Sequence, residues 1–128
     1  MAGPWLYQKS IVIIGGTTGI GFSAAQAFVE HGARVVVVGR SEETVNKAAG
    51  ILKQNGVGVV GDASIPGTAS RAIELCKKNF GSFHGLYHVA GGSGRKFGDG
   101  PLHELTLDGW NQTFQLNLTS LMLSNQEA

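Results

Sequence analysis

The segment Ile11-Val12-Ile13-Ile14-Gly15-Gly16-Thr17-Thr18-Gly19-Ile20-Gly21 constrains the fold of this chain more than any other. Four β-branched residues run into a glycine-rich turn, and a helical pattern begins at once, from Phe22 to Glu30. A strand, a tight turn and a helix start in that order present unpaired helix amides to an anion. Gly15 lets the backbone turn where a Cβ would clash. Gly19 lets a pyrophosphate approach the backbone, and Gly21 lets the helix pack closely on the sheet. The helix dipole adds to the pull on the anion. No Lys-Ser/Thr pair follows, which argues against a kinase or GTPase phosphate loop. Glycine is abundant throughout, 20 of 128 residues against a usual share of about 7%. The placement between strand and helix, rather than the number of glycines, therefore points to a dinucleotide.

The alternation continues. Ser10–Ile14 reads as strand 1 and Ile20–His31 as helix 1, stopped by Gly32. Arg34–Val38 reads as strand 2, and its four consecutive valines suit a strand buried on both faces of a parallel sheet. Ser41 caps helix 2, with Glu42 and Glu43 in its first turn, and Gly56 ends it. Val57–Val60 is strand 3. Ser64 caps helix 3, with Pro66 in its first turn, and the helix runs to Phe80 before Gly81. Leu86–Val89 is strand 4. The loop Gly91–Pro101, with five glycines in eleven residues, is the one long flexible segment expected. Thr106 caps a last helix from Leu107 onward, in which Trp110, Phe114, Asn117 and Leu121 share one stripe. The pattern predicts an α/β fold, a Rossmann-type doubly wound parallel sheet in the order 3-2-1-4, as a single domain over residues 1–128. The order switches between strands 1 and 4, and the crevice at their carboxyl ends is where a ligand is expected.

Composition narrows the partners. The net charge is +1, with no basic stripe, so nothing points to nucleic acid or a membrane surface. No apolar run approaches the ~20 residues of a spanning helix, and Met1–Ser10 does not resemble a signal peptide. The lone Cys76 excludes an internal disulfide and fits a reducing, cytoplasmic setting. His84 and His88 straddle a strand at a separation of about 13 Å, too far to share a metal ion. No metal site is expected.

At the end of strand 2 an acidic residue would bind the ribose hydroxyls of NAD, and an arginine would accommodate a 2′-phosphate. This chain has Gly39-Arg40-Ser41. Gly39 removes a side chain that would repel phosphate, Arg40 offers a planar fork of donors, and Ser41 adds a hydroxyl. NADP is expected over NAD. The same residues argue against a methyltransferase, which needs an acid there.

Gly15-x-x-x-Gly19-Ile20-Gly21, Asp62-Ala63 after strand 3, Ala90-Gly91 after strand 4 and Asn117 in the last helix together resemble the short-chain dehydrogenase/reductase family. The resemblance spans about Lys9 to Ala128. It implies that Asp62 contacts the adenine, that Ala63 lines its pocket, and that Thr17 and Thr18 bond the ribose or its phosphate. It implies backbone contacts from Val89, Ala90 and Gly91. Asn117, the one catalytic-type residue, would help hold a water in a proton relay. The implied activity is an NADP(H)-dependent oxidoreductase, 3-oxoacyl reductase-like or similar, passing hydride between nicotinamide and a small-molecule carbonyl or secondary alcohol, in a homo-oligomeric full-length protein.

There are departures. His88-Val89 replaces the usual Asn-Asn pair, so an imidazole stands for the sheet-bracing amide, and Ile14 replaces a Thr. The family's Ser and its Tyr-x-x-x-Lys pair match positions beyond Ala128. Neither Tyr7 nor Tyr87 is followed by Lys four residues on. The expectation is therefore a truncated, cofactor-binding half, inactive alone, with strand 4 as an exposed edge. The alternative is a non-catalytic dinucleotide-binding or oligomerising module.

Overall fold

The computed structural model describes residues 4–128, so the first three residues of the segment Met1–Ser10 lie outside it. Four strands form one parallel sheet, β1 (Ser10–Ile14), β2 (Arg34–Gly39), β3 (Gly56–Val60) and β4 (Gly85–His88), in the order β3-β2-β1-β4. The order is the expected one, and β4 is an edge. Around the sheet run α1 (Gly19–Glu30), α2 (Glu42–Leu52), α3 (Thr68–Phe80), α4 (Leu107–Phe114) and α5 (Ser120–Glu127).

The valine run of β2 works as a two-faced element. Side chains alternate across a strand. Val36 and Val38 join Val12 and Ile14 in a cluster with Ala69, Ala72, Ile73 and Cys76 of α3. Val35 and Val37 join Ile13 in a second cluster with Ala25 of α1 and Ala48 and Leu52 of α2. Register follows, with Val12 beside Val36, Val36 beside Val57, and Ile14 beside His88. The N-terminal segment is fastened to the turn after α1, where Leu6 N and Gln8 N donate to His31 and Gly32 carbonyls.

Several local expectations are corrected. Helix α3 starts at Thr68 behind the left-handed Gly67, not at Ser64 with Pro66 in its first turn. Ser64 instead donates its amide and hydroxyl to Asp62 Oδ1, which folds the chain into a turn before the helix can start. Gly56 does not end α2. That helix stops at Leu52, a 3₁₀ turn spans Lys53–Asn55, and Gly56 opens β3. The loop after β4 contains a 3₁₀ turn at Arg95–Phe97. The last helix is interrupted by a π-helical stretch, Gln115–Thr119.

The stripe on that helix faces outward. Trp110 is 48% exposed and Phe114 43%. The buried positions are Gly109, Ser120 and Ser124. Small residues let the helix approach closely: a Cβ on Gly109 would stand 2.7 Å from the Asp99 amide nitrogen.

Candidate functional site

The carboxyl ends of the strands open onto a crevice of about 450 Å³, in the range of small-molecule sites. At its floor, Gly15 has φ +84, and a Cβ there would meet the Ala90 nitrogen at 2.7 Å. Only glycine satisfies both conditions. Gly15 N and Gly16 N both donate to the Val38 carbonyl, at 2.9 and 3.0 Å, which ties the turn to the end of β2. Gly19 has φ +54, and its missing Cβ would face empty space. Thr18 precedes α1 in extended conformation and its side chain makes no capping bond. The first amides of α1 are thus left for an external anion. Gly21 packs on the Gly15 carbonyl and lies 3.0 Å, as a Cβ, from Gly16 Cα. Its closeness therefore serves the turn itself. Gly19 and Gly21 shape the turn without lining the crevice, whereas Gly15, Thr17, Thr18 and Ile20 line it.

Thr17 is nearly buried beneath the end of β2. Its Oγ1 lies 3.3 Å from Thr44 Oγ1 of α2. A Cβ at Gly39 would stand 2.8 Å from Thr17 Cγ2 and 3.1 Å from Thr17 Cβ, and would collide with Oγ1. No side chain fits at position 39 while Thr17 holds this place. Arg40 and Ser41 line the crevice just beyond. Ser41 also caps α2, its hydroxyl accepting from Thr44 N.

Opposite stands Asp62. Its Oδ1 accepts the Ser64 hydroxyl at 2.7 Å and the Ser64 amide at 2.9 Å. Those two bonds hold the carboxyl below its usual range, with a smaller contribution from the Arg40 charge, against an opposing effect of burial. Thr68 Oγ1 donates to the Asp62 carbonyl at 2.7 Å, which fixes the backbone too. Ala63 lines the crevice beside it.

Val89, Ala90 and Gly91 form the remaining wall. The amides of Val89 and Ala90 donate to the Ile14 carbonyl at 2.8 and 2.9 Å. Asn117 lies in the π-helical stretch, outside the crevice lining. Its Oδ1 accepts from Gly92 N at 2.9 Å, and its Nδ2 donates to the carbonyls of Gly92 at 2.7 Å and Thr113 at 3.0 Å. The side chain thus pins the loop after β4 and bonds back along its own helix, a pattern that accompanies helix distortion.

Thr44, Ser64, Leu116 and Ser120 also line the crevice and were not foreseen. Ser64 carried a helix-capping expectation. Leu116 and Ser120 sit one helical turn apart on the inward face of a helix whose apolar stripe lies on the opposite side. His84 Nδ1 accepts from Ser10 N at 2.9 Å, and His88 bonds to Ala90 and Ser124. Each histidine is bound to protein groups at its own end of β4. No helix among the described residues is long and apolar enough to cross a membrane.

The comparisons agree with this geometry. The family model described as short chain dehydrogenase matches residues 9–128. An oxidoreductase designated asL5 from Sarocladium schorii is 33% identical over 123 residues, covering 96% of this chain and 48% of that protein. The xanthoxin dehydrogenase of Arabidopsis thaliana is 30% identical over 128 residues, covering 96% of this chain and 44% of that protein. A crystal structure of a short chain dehydrogenase from Bacillus anthracis superposes with a TM-score of 0.81 at 29% identity, covering 93% of this chain and 48% of the other. The chain spans about half the length of the curated relatives it matches. It belongs to the short-chain dehydrogenase family.

Proposed function

We propose that this chain binds NADP(H) and forms the cofactor-holding part of an oxidoreductase that passes hydride between nicotinamide and a small-molecule carbonyl or secondary alcohol. The family binds a nicotinamide dinucleotide. The residues here suit one: uncapped amides at the start of α1, and a glycine whose missing Cβ leaves the approach open. When bound, the dinucleotide supplies or accepts the hydride. The amides of α1 hold the pyrophosphate, with Thr17 and Thr18 at the ribose or its phosphate. Asp62 and Ala63 hold the adenine, and Val89–Gly91 the nicotinamide ribose. Asn117 keeps the Gly92 backbone in place, and in the full protein it helps hold the water through which a proton reaches the substrate oxygen.

The observation that carries the preference for NADP is the close packing of Thr17 against Gly39. That packing favours glycine at position 39, where a carboxylate would select NAD, and Arg40 and Ser41 are the donors beside it. A cytoplasmic setting belongs to the same reading, supported by the unbridged Cys76. The test is a fluorescence titration of the 128-residue chain with NADPH and NADH. Arg40→Ala should weaken NADPH about tenfold to a hundredfold, the worth of a charge-assisted phosphate contact, and leave NADH nearly unchanged. Tighter binding of NADH by the unaltered chain would sink the assignment.

A further inference from the structure

His88 stands where the resemblance leads one to expect an amide, and its ring is half-buried with both nitrogens bonded. Nε2 lies 2.9 Å from the Ala90 carbonyl oxygen, and Nδ1 lies 3.0 Å from Ser124 Oγ. Ser120 Oγ is 3.4 Å from Nε2. Both serines are 1% exposed. The proton positions follow from the partners. A carbonyl oxygen only accepts, so Nε2 carries the hydrogen. In the neutral ring Nδ1 then accepts, and the Ser124 hydroxyl donates to it. The Ser120 hydroxyl donates to the Leu116 carbonyl at 2.7 Å, which leaves its oxygen free to accept from Nε2–H. One tautomer satisfies every group.

What His88 grips is a wall of the crevice. Ala90 donates its amide to Ile14 at 2.9 Å and packs against Gly15, the first glycine of the turn. A chain of contacts thus runs from Ser124 of α5 through the imidazole and the Ala90 peptide to the phosphate-binding turn. We propose that His88 is a positioning residue for cofactor binding: as a neutral Nε2–H imidazole oriented by Ser124, it fixes the Ala90 carbonyl and with it the wall Val89–Gly91. The affinity part of this rests on the dinucleotide reading given above. The tautomer does not.

The test uses the 128-residue chain. In the unaltered protein, ¹⁵N resonances of His88 should show a protonated Nε2 and an unprotonated Nδ1 at pH 8. His88→Leu, which removes both bonds, should raise the NADPH dissociation constant about tenfold, one hydrogen bond's worth. His88→Asn retains a donor and should recover most of that loss. Thermal stability need not follow the same order, so affinity that tracks the donor distinguishes positioning from bulk stabilisation. Equal affinities for the Leu and Asn variants, or an Nδ1–H tautomer, would overturn the proposal. Should His88→Leu fail to fold, Ser124→Ala takes its place: an affinity loss of about threefold supports the proposal, and no loss overturns it. If the unaltered chain binds neither dinucleotide, the cofactor reading fails. The tautomer and the ¹³C shift of the Ala90 carbonyl on Ser124→Ala then decide the brace: an unmoved carbonyl overturns it and a shifted one upholds it.

Discussion

Thr17 governs what residue 39 can be. Gly39→Asp, the change that should recruit NAD, places its Cβ against Thr17 and should cost about 1–3 kcal/mol of stability by overpacking. Urea unfolding measures this, and a titration should show NADPH binding lost without NADH binding gained. Adding Thr17→Gly removes the clashing atoms and should recover part of the lost stability in the same urea measurement. His88 yields a pH prediction. Burial pushes its pKa below the ordinary imidazole value, against the smaller opposing effect of the Ala90 carbonyl. The unfolded chain then binds the proton more readily, so the contribution of His88 to stability is intact above about pH 6.5. It is lost as pH falls through the folded value. His88→Asn should flatten the stability profile in that window, with urea midpoints at pH 5 and 8 as the measure. Asp62 acts lower: held down first by the Ser64 hydroxyl, its contribution is present above the ordinary aspartate value and disappears at more acid pH. At this scale the sequence is legible where a residue is punctuation. Gly15 and Gly19 stand out because a strand-to-helix turn needs them. Thr44 does not, since a threonine in a helix's first turn looks like any surface residue until Thr17 is placed beside it.

Among the elements, the last helix carries the most unforeseen structure. Periodicity shows that a helix is two-faced but not which face the fold buries. Here Gly109, Ser120 and Ser124 turn inward because small side chains permit close approach to the loop and to His88. The aromatic pair Trp110 and Phe114, with ring centroids 4.8 Å apart, stays outside. The end of α5 is fastened elsewhere. The Glu127 carboxylate accepts from Gly67 N at 2.7 Å and Ser70 N at 2.9 Å at the start of α3, a helix that lacks a side-chain cap of its own. A distant residue does the work of a local cap, and no window of sequence around Ser64 could show it. Glu127→Ala should lower stability by about 1–2 kcal/mol, the usual cost of a lost helix cap, and should speed amide exchange in the first turn of α3. Unchanged exchange there would show that the carboxylate does not hold it.

For the molecule as a whole, the sheet order and the two-faced core were legible because buried parallel strands are written as β-branched runs. Ile13 has no exposed surface and sits in the cluster against α1 and α2. Ile13→Ala should cost about 2–5 kcal/mol in urea unfolding, enough to consume much of the stability of a domain this size. Native-state exchange should be slowest in β1 and β2 and faster in β4, whose outer edge pairs with nothing among the described residues. The central place of β1 also has a consequence in time. Its first residue bonds across 74 positions to His84, which precedes β4. At roughly 5–20 residues per second, a ribosome needs about 4–15 seconds to make that stretch. For that interval the most apolar strand of the protein has no neighbour on one side. A nascent chain arrested before His84 should therefore present β1 with an open hydrophobic margin that chaperones recognise.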